Sequence, residues 1–199
     1  MEKGVRVLWD EEFGCYDVVV LNGEATVGDF EEECREILDG ERVRKRYSDS
    51  CIGCSICCSE RIPVTLVDVV RILEVGVGDV QAEGLAKQAH EIVDIERYGD
   101  CIDVRLKVDE WGICRFWRKD EGKCSIYENR PIACSTYVCV PVSWRFEELR
   151  TQVINRGQDD LISFLCEGRW EAHVEMSYRG IRIRDVCTKR LWRALTKRD

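Results

Sequence analysis

The chain has 199 residues, 45% of them hydrophobic, and a formal net charge of −8. A core of ordinary size is available, so the fold needs no disulfide staples. The acidic balance argues against a general nucleic-acid or membrane-surface binder.

No apolar run reaches bilayer-spanning length, and the opening MEKGVRVLWDEE lacks the apolar stretch of a secretory signal. A cytoplasmic protein with reduced thiols is therefore expected. The first elements are a hairpin and a helix. VRVLW (Val5 to Trp9) and YDVVVL (Tyr16 to Leu21) are rich in β-branched and aromatic residues. Thr26 caps a helix with Phe30, Cys34, Ile37 and Leu38 on one face. The charged stretch DGERVRKRYSDS marks a boundary, and its basic run Arg42 to Arg46 reads as a solvated helix end, with RNA contact as the lesser alternative.

PVTLVDVVRIL predicts a buried helix capped by Thr65, whose polar residues Asp68 and Arg71 read first as a pair and second as groups facing the site. GDVQAEGLAKQAHEIVDIE, from Gly78 to Glu96, reads as a second helix. Cys101 to Val108 alternates as a strand, with WGICRFW (Trp111 to Trp117) as its expected partner. Short pieces broken at Pro131 follow, then a helical tail from Trp144 interrupted at YRGIRIRD. The expected class is α+β: a small, mostly helical cysteine-cluster domain with a short antiparallel hairpin. The expected division is residues 1–49 as a hairpin–helix appendage, 50–141 as the cysteine-cluster domain and 142–199 as a helical extension.

Thirteen cysteines are too many for an ordinary cytoplasmic protein, and an odd count forbids complete internal pairing. Abundant Glu, Arg and Val with few Asn and Gln keep a thermophile's intracellular disulfides as an alternative. CIGCSICC puts Cys51, Cys54 and Cys57 at C-x2-C spacing, which turns the backbone around one metal. Cys57 and Cys58 are neighbours. In an extended backbone they point to opposite sides, so one of them would serve elsewhere. A second block holds Cys114, Cys124, Cys134 and Cys139. Around it Arg115, Arg118, Lys119, Lys123 and Arg130 outnumber the acids, which would offset thiolate charge. Arg130 reads either as a donor beside the site or as a surface ion pair.

Cys34, Cys166 and Cys187 read as core residues on apolar helical faces, and Cys15 and Cys101 as core residues of strands. His90 and His173 read as surface or internally satisfied residues, which disfavours mixed Cys/His zinc. No G-x-G-x-x-G or phosphate-loop motif occurs, nor the C-x3-C-x2-C spacing of radical methionine-cofactor enzymes.

CIGCSICC, then PVTLVDVVRIL, then GICRFWRKDEGKCSIYENRPIAC together resemble the CxxCxxCC cysteine-cluster family, described as zinc- or iron-chelating. The resemblance runs roughly from Cys51 to Cys139. It implies metal binding by Cys51, Cys54, Cys57, Cys58, Cys114, Cys124, Cys134 and Cys139, with Tyr127, Arg130 and Pro131 as motif neighbours. Tyr127 and Arg130 are then expected beside the cofactor. The implied cofactor is an iron–sulfur cluster of the 4Fe-4S type, with zinc as the alternative. The implied function is electron transfer, or a cluster-bearing component of a larger enzyme complex, with a redox partner or protein substrate. A zinc-stapled binding module is the alternative. Flagellin lysine methylases join this module to methyl transfer, so a protein-modifying enzyme is a third reading. A thiol–disulfide oxidoreductase using Cys51 and Cys54 is a fourth, without the βαβ context that it needs.

Overall fold

The computed structural model describes residues 4–39, 53–74, 82–167 and 177–196. Arg42 to Arg46, Cys51 and His173 lie outside them. The chain forms two units. One combines Met1–Tyr47, Ser135–Asn155 and Ser177–Asp199; the other combines Ser48–Cys134 and Arg156–Met176. The class is α+β, as expected, with seven α-helices and three two-stranded sheets among the described residues. No described helix is long and apolar enough to cross a membrane.

In the first unit β1 (Val5–Asp10) and β2 (Cys15–Val20) pair antiparallel, from Val5↔Val20 to Asp10↔Cys15. Asp10 closes the turn by accepting the Glu12 and Phe13 N–H groups on Oδ1 at 2.9 and 3.0 Å. Next comes α1 (Val27–Asp39), started by a reciprocal cap. The Asp29 N–H donates to Thr26 Oγ1 at 3.1 Å, and the Thr26 N–H donates to Asp29 Oδ2 at 2.9 Å. The predicted face is buried: Phe30, Cys34, Ile37 and Leu38 are all interior. Phe30 meets Phe146 edge-on at 5.1 Å.

Short backbone ties join the three segments of this unit. Tyr16 bridges to Val142, and Thr26 bridges to Arg182. Burial, with the charge of Glu148, pushes the Cys187 thiol up to about 12.

Asp17, on β2, is held by Arg145 and Ser143. Burial alone would raise its carboxyl, but the hydrogen bonds from Arg145 and Ser143 outweigh burial and hold it below the usual range. A depressed folded-state value stabilises the protein above the unfolded carboxyl value near 4, and that stability is lost as pH falls through the folded one. Urea unfolding from pH 7 to 2 should therefore show an acid limb that flattens in Asp17→Asn. An unchanged limb would remove Asp17 from the acid response.

In the second unit α2 (Leu66–Ile72) is followed by α3 (Ala82–Ile92), β3 (Val93–Tyr98) and β4 (Cys101–Leu106). The helix expected to run to Glu96 stops at Ile92. Val93 and Ile95 are β-branched, and the chain from Val93 becomes a strand paired with β4 through the turn Gly99–Asp100. The partner of β4 is thus β3, not Trp111 to Trp117, which meets Val108 only through a bridge at Cys114. The other edge of β4 is taken by residues 62–64. There the Val64 N–H donates to the Val104 carbonyl at 3.1 Å, and the Leu106 N–H to the Ile62 carbonyl at 2.9 Å.

Val64, Leu66, Val69, Val104, Leu106 and Leu161 are buried apolar residues of this unit. The remaining elements are the minimal hairpin β5 (Trp117–Arg118) and β6 (Lys123–Cys124), then α4 (Ile132–Ser135), α5 (Trp144–Glu167), α6 (Ile183–Val186) and α7 (Lys189–Thr196). The residues of α5 are divided between the two units, and α6 and α7 belong to the first. Cys101 and Cys166 are exposed, against the core reading, because Cys101 sits beside the solvent-facing turn and Cys166 ends the long helix.

Candidate metal centre

Backbone hydrogen bonds inside the second unit bring the two cysteine blocks together. Gly53 has φ +80°, a conformation that a Cβ would oppose. Its N–H donates to the Gly122 carbonyl at 2.5 Å, tying the Cys54 loop to the turn between β5 and β6. Cys124 ends that hairpin, paired with Trp117. Cys57–Ser59 forms a single 3-10 turn in which the Cys58 and Ser59 N–H groups donate to the Ser55 carbonyl at 2.9 and 3.1 Å. The Cys58 carbonyl in turn accepts the Cys114 N–H at 2.7 Å. That bond joins the first block directly to the second.

The tight turn also overturns the expectation that Cys57 and Cys58 diverge. That expectation assumed an extended chain; here the two thiols hydrogen-bond to each other. The Cys58 thiol donates, and this is the largest influence on Cys57. Together with the Arg130 charge it outweighs burial and lowers Cys57 to about 7. The same bond raises Cys58, and burial with the charges of Cys57, Cys114 and Cys124 adds to it. Burial pushes Cys114 up to about 11, helped by the charges of Cys124 and Cys57. Burial also raises Cys134, which feels Cys57, Cys114 and Cys124. Cys57, Cys58, Cys114, Cys124 and Cys134 therefore share one electrostatic neighbourhood. Cys54, half-buried, stands three residues before Cys57 on the same loop.

Arg130 supplies the neighbourhood's cation. It is 5% exposed, which rules out the surface ion pair, and its guanidinium lies 4.0 Å from the centroid of the Tyr127 ring. Its backbone is held from α2. The Arg71 Nη2 donates to the Arg130 carbonyl and, at 3.2 Å, to Asp68 Oδ1. Asp68 is fully buried. Its Oδ2 accepts the Thr65 N–H at 3.0 Å, and its Oδ1 accepts the Ile132 N–H at 2.9 Å. Cys134 stands inside the turn that Ile132 opens, its N–H donating to the Pro131 carbonyl at 2.9 Å.

The Asp68–Arg71 pair was legible, but its reach to Ile132 and Arg130 was not. The available signal was a carboxylate that an otherwise apolar helix had no local reason to bury.

Cys139 falls in the first unit, not the second. It has φ +56°, its Sγ lies 3.8 Å from the Tyr137 carbonyl, and it lines a cavity of about 490 Å³ with Tyr137, Phe146 and Arg150. His90 is exposed at the end of α3, as expected.

No disulfide joins the described cysteines, so the cystine alternative has no support among them. Among the described residues, no three Cys, His, Asp or Glu side chains stand as a finished donor set for an ion. The fit to a metal lies in the donor chemistry. The neighbouring donors are thiols, Cys57 is held below the usual thiol range by Cys58 and the Arg130 charge, and the Arg130 guanidinium is buried. Soft thiolates suit zinc and iron–sulfur clusters.

A search of curated proteins and of solved structures returned no match. A family model described as "CxxCxxCC: Putative zinc- or iron-chelating domain" matches residues 50–156. That span covers more than half of the chain and both cysteine blocks, and the chain belongs to the CxxCxxCC family.

Proposed function

We propose that this zinc- or iron-chelating domain holds an iron–sulfur cluster of the 4Fe-4S type and serves electron transfer, alone or within a larger enzyme complex in the cytoplasm. The observation that carries this reading is the Cys58–Cys114 backbone bond, which brings thiols from both blocks into one neighbourhood beside Arg130. Cys51, Cys54, Cys57, Cys58, Cys114, Cys124 and Cys134 form the donor pool, with Cys139 as the eighth sulfur of the motif. A bound cluster would supply one-electron redox chemistry at a potential set by ligands, nearby charge and exposure.

The chain's own residues have definable tasks. Arg130 offsets thiolate charge from a buried position, and Tyr127 covers its guanidinium. Cys58, Cys114 and Cys134 hold their protons above neutral pH, so loading releases protons and is favoured by rising pH. A redox partner or protein substrate completes the proposal.

The same all-thiol pool also suits zinc, which would staple the domain without turnover. Anaerobic purification separates the two readings. Brown colour, visible absorption bleached by dithionite, and equal iron and acid-labile sulfide are expected. A colourless protein with stoichiometric zinc would overturn the cluster and leave the structural staple.

A further inference from the structure

The hairpin end of the first unit carries features that the thiol site does not use. A cavity of about 550 Å³ opens there, lined by Asp10, Phe13, Asp17, Ser143, Trp144 and Arg145, among others. Phe13 is 74% exposed and Trp144 58% exposed, and both border this cavity. Burial of such rings is a principal source of hydrophobic stabilisation, so leaving both in water at one cavity points to a ligand.

The charges on the wall are unequal. Asp17 is occupied by Arg145, through Nε at 3.2 Å and through Nη2, and by the Ser143 hydroxyl. Arg145 also donates to the Ala194 carbonyl at 3.0 Å. These two charges cancel. Asp10, Glu11 and Glu12 follow one another in the adjoining turn, with no basic residue among them. Asp10 spends Oδ1 on the turn's own N–H groups, and no described ion pair takes its charge.

We propose that this cavity docks an arginine side chain from a basic segment of a protein partner. A guanidinium is flat and weakly hydrated; it stacks on aromatic faces and meets a carboxylate with two donors. The Phe13 and Trp144 rings supply faces, and Asp10 supplies the carboxylate. The Asp10 carboxylate on the cavity wall, with Glu11 and Glu12 next to it in the chain, disfavours nucleic acid and anionic lipid and favours the approach of a basic segment. None of the residues lining this cavity belongs to the proposed donor pool, so the readout here is peptide binding and not metal content.

The probe is acetyl-Gly-Arg-Gly-amide, titrated into the full-length ¹⁵N-labelled chain at low salt. Saturable shifts are expected at residues 10–17 and 143–145, including the Trp144 indole N–H. The citrulline peptide, neutral and of the same shape, should give none, and the lysine peptide should bind more weakly. Asp10→Asn leaves an oxygen for the turn's N–H groups and removes only the charge; it should weaken binding about two- to five-fold. Trp144→Ala should do so to a similar extent, about two- to five-fold. Absent or unsaturable shifts would overturn the site. Equal binding of the citrulline peptide would overturn the ionic contact, as would full affinity in Asp10→Asn. Equal binding of the lysine peptide would overturn the choice of arginine.

Discussion

Asp68→Ala is expected to cost about 3–5 kcal/mol, the largest loss from any single change in the second unit. Three donors converge on this fully buried carboxylate: the Thr65 N–H, the Ile132 N–H and the Arg71 guanidinium. Alanine removes all three bonds and fills none of the space. The buried Ile132 amide would then lose the Asp68 oxygen that accepts it, and Arg71 would lose the Asp68 carboxylate. The damage passes to the thiol site through two routes, since Arg71 also holds the Arg130 carbonyl and Ile132 opens the turn that carries Cys134.

Urea unfolding should give the stability loss. Native-state hydrogen exchange at Ile132 should lose protection beyond the global change. Asp68→Asn keeps one acceptor but sets a donor against another donor, and should cost less, about 1–3 kcal/mol. A loss under about 1 kcal/mol in Asp68→Ala would mean that the buried carboxylate holds nothing.

Gly157→Val comes second. Gly157 lies in α5 and faces the cap of α2 within the same unit. A Cβ there would come within 2.6 Å of Thr65 Cβ and 2.7 Å of its Cγ2. Thr65 is itself fully buried and pinned on both sides by its reciprocal bonds with Asp68. The neighbour therefore cannot retreat without opening the cap. Overpacking together with a lost cap should cost about 2–4 kcal/mol, well above the few tenths that valine gains over glycine in a helix.

Gly157→Ala should be intermediate, because it gains about 1 kcal/mol of helix propensity against the same clash. Both substitutions break one cap, so the Asp68→Ala, Gly157→Val double variant should cost less than the sum of the two. Thermal and urea unfolding of the four proteins would measure the coupling. A stabilising Gly157→Ala would show that α5 can slide away from Thr65.

The elements that the sequence made legible are those with local causes. Thr26 and Thr65 start helices because each stands three residues before an aspartate that can return its bond. The hairpin of Val5 and Val20 follows from β-branched residues on both sides of a polar turn. The strand from Val93 was missed because its acids and apolar residues also suit the last turns of a helix. Pairing with Cys101 to Leu106, a tertiary fact, decides between the two.

At the site the donor chemistry was legible and the assembly was not. Spacing identifies Cys54, Cys57 and Cys58 as a group. It does not reveal that Cys58 meets Cys114 through the backbone, or that Asp68 holds the chain near Cys134 across a separation of 64 residues. The extended backbone assumed for Cys57 and Cys58 is not the one found. Alternation belongs to strands, and these two stand in a 3-10 turn.

The first unit is assembled from three separated stretches of chain, and this sets an order of events during synthesis. The β1–β2 hairpin and α1 leave the ribosome roughly a hundred residues before Phe146 can cover Phe30, a wait of about 5–20 s at ordinary translation speed. Throughout that interval Phe30, on the apolar stripe of α1, lacks the ring of Phe146 that covers it in the folded chain, and stays open to chaperones. The thiol-bearing stretch emerges meanwhile in one uninterrupted run, from Ser48 to Cys134. Sulfur chemistry can therefore begin in the nascent chain before its older, N-terminal neighbour has closed.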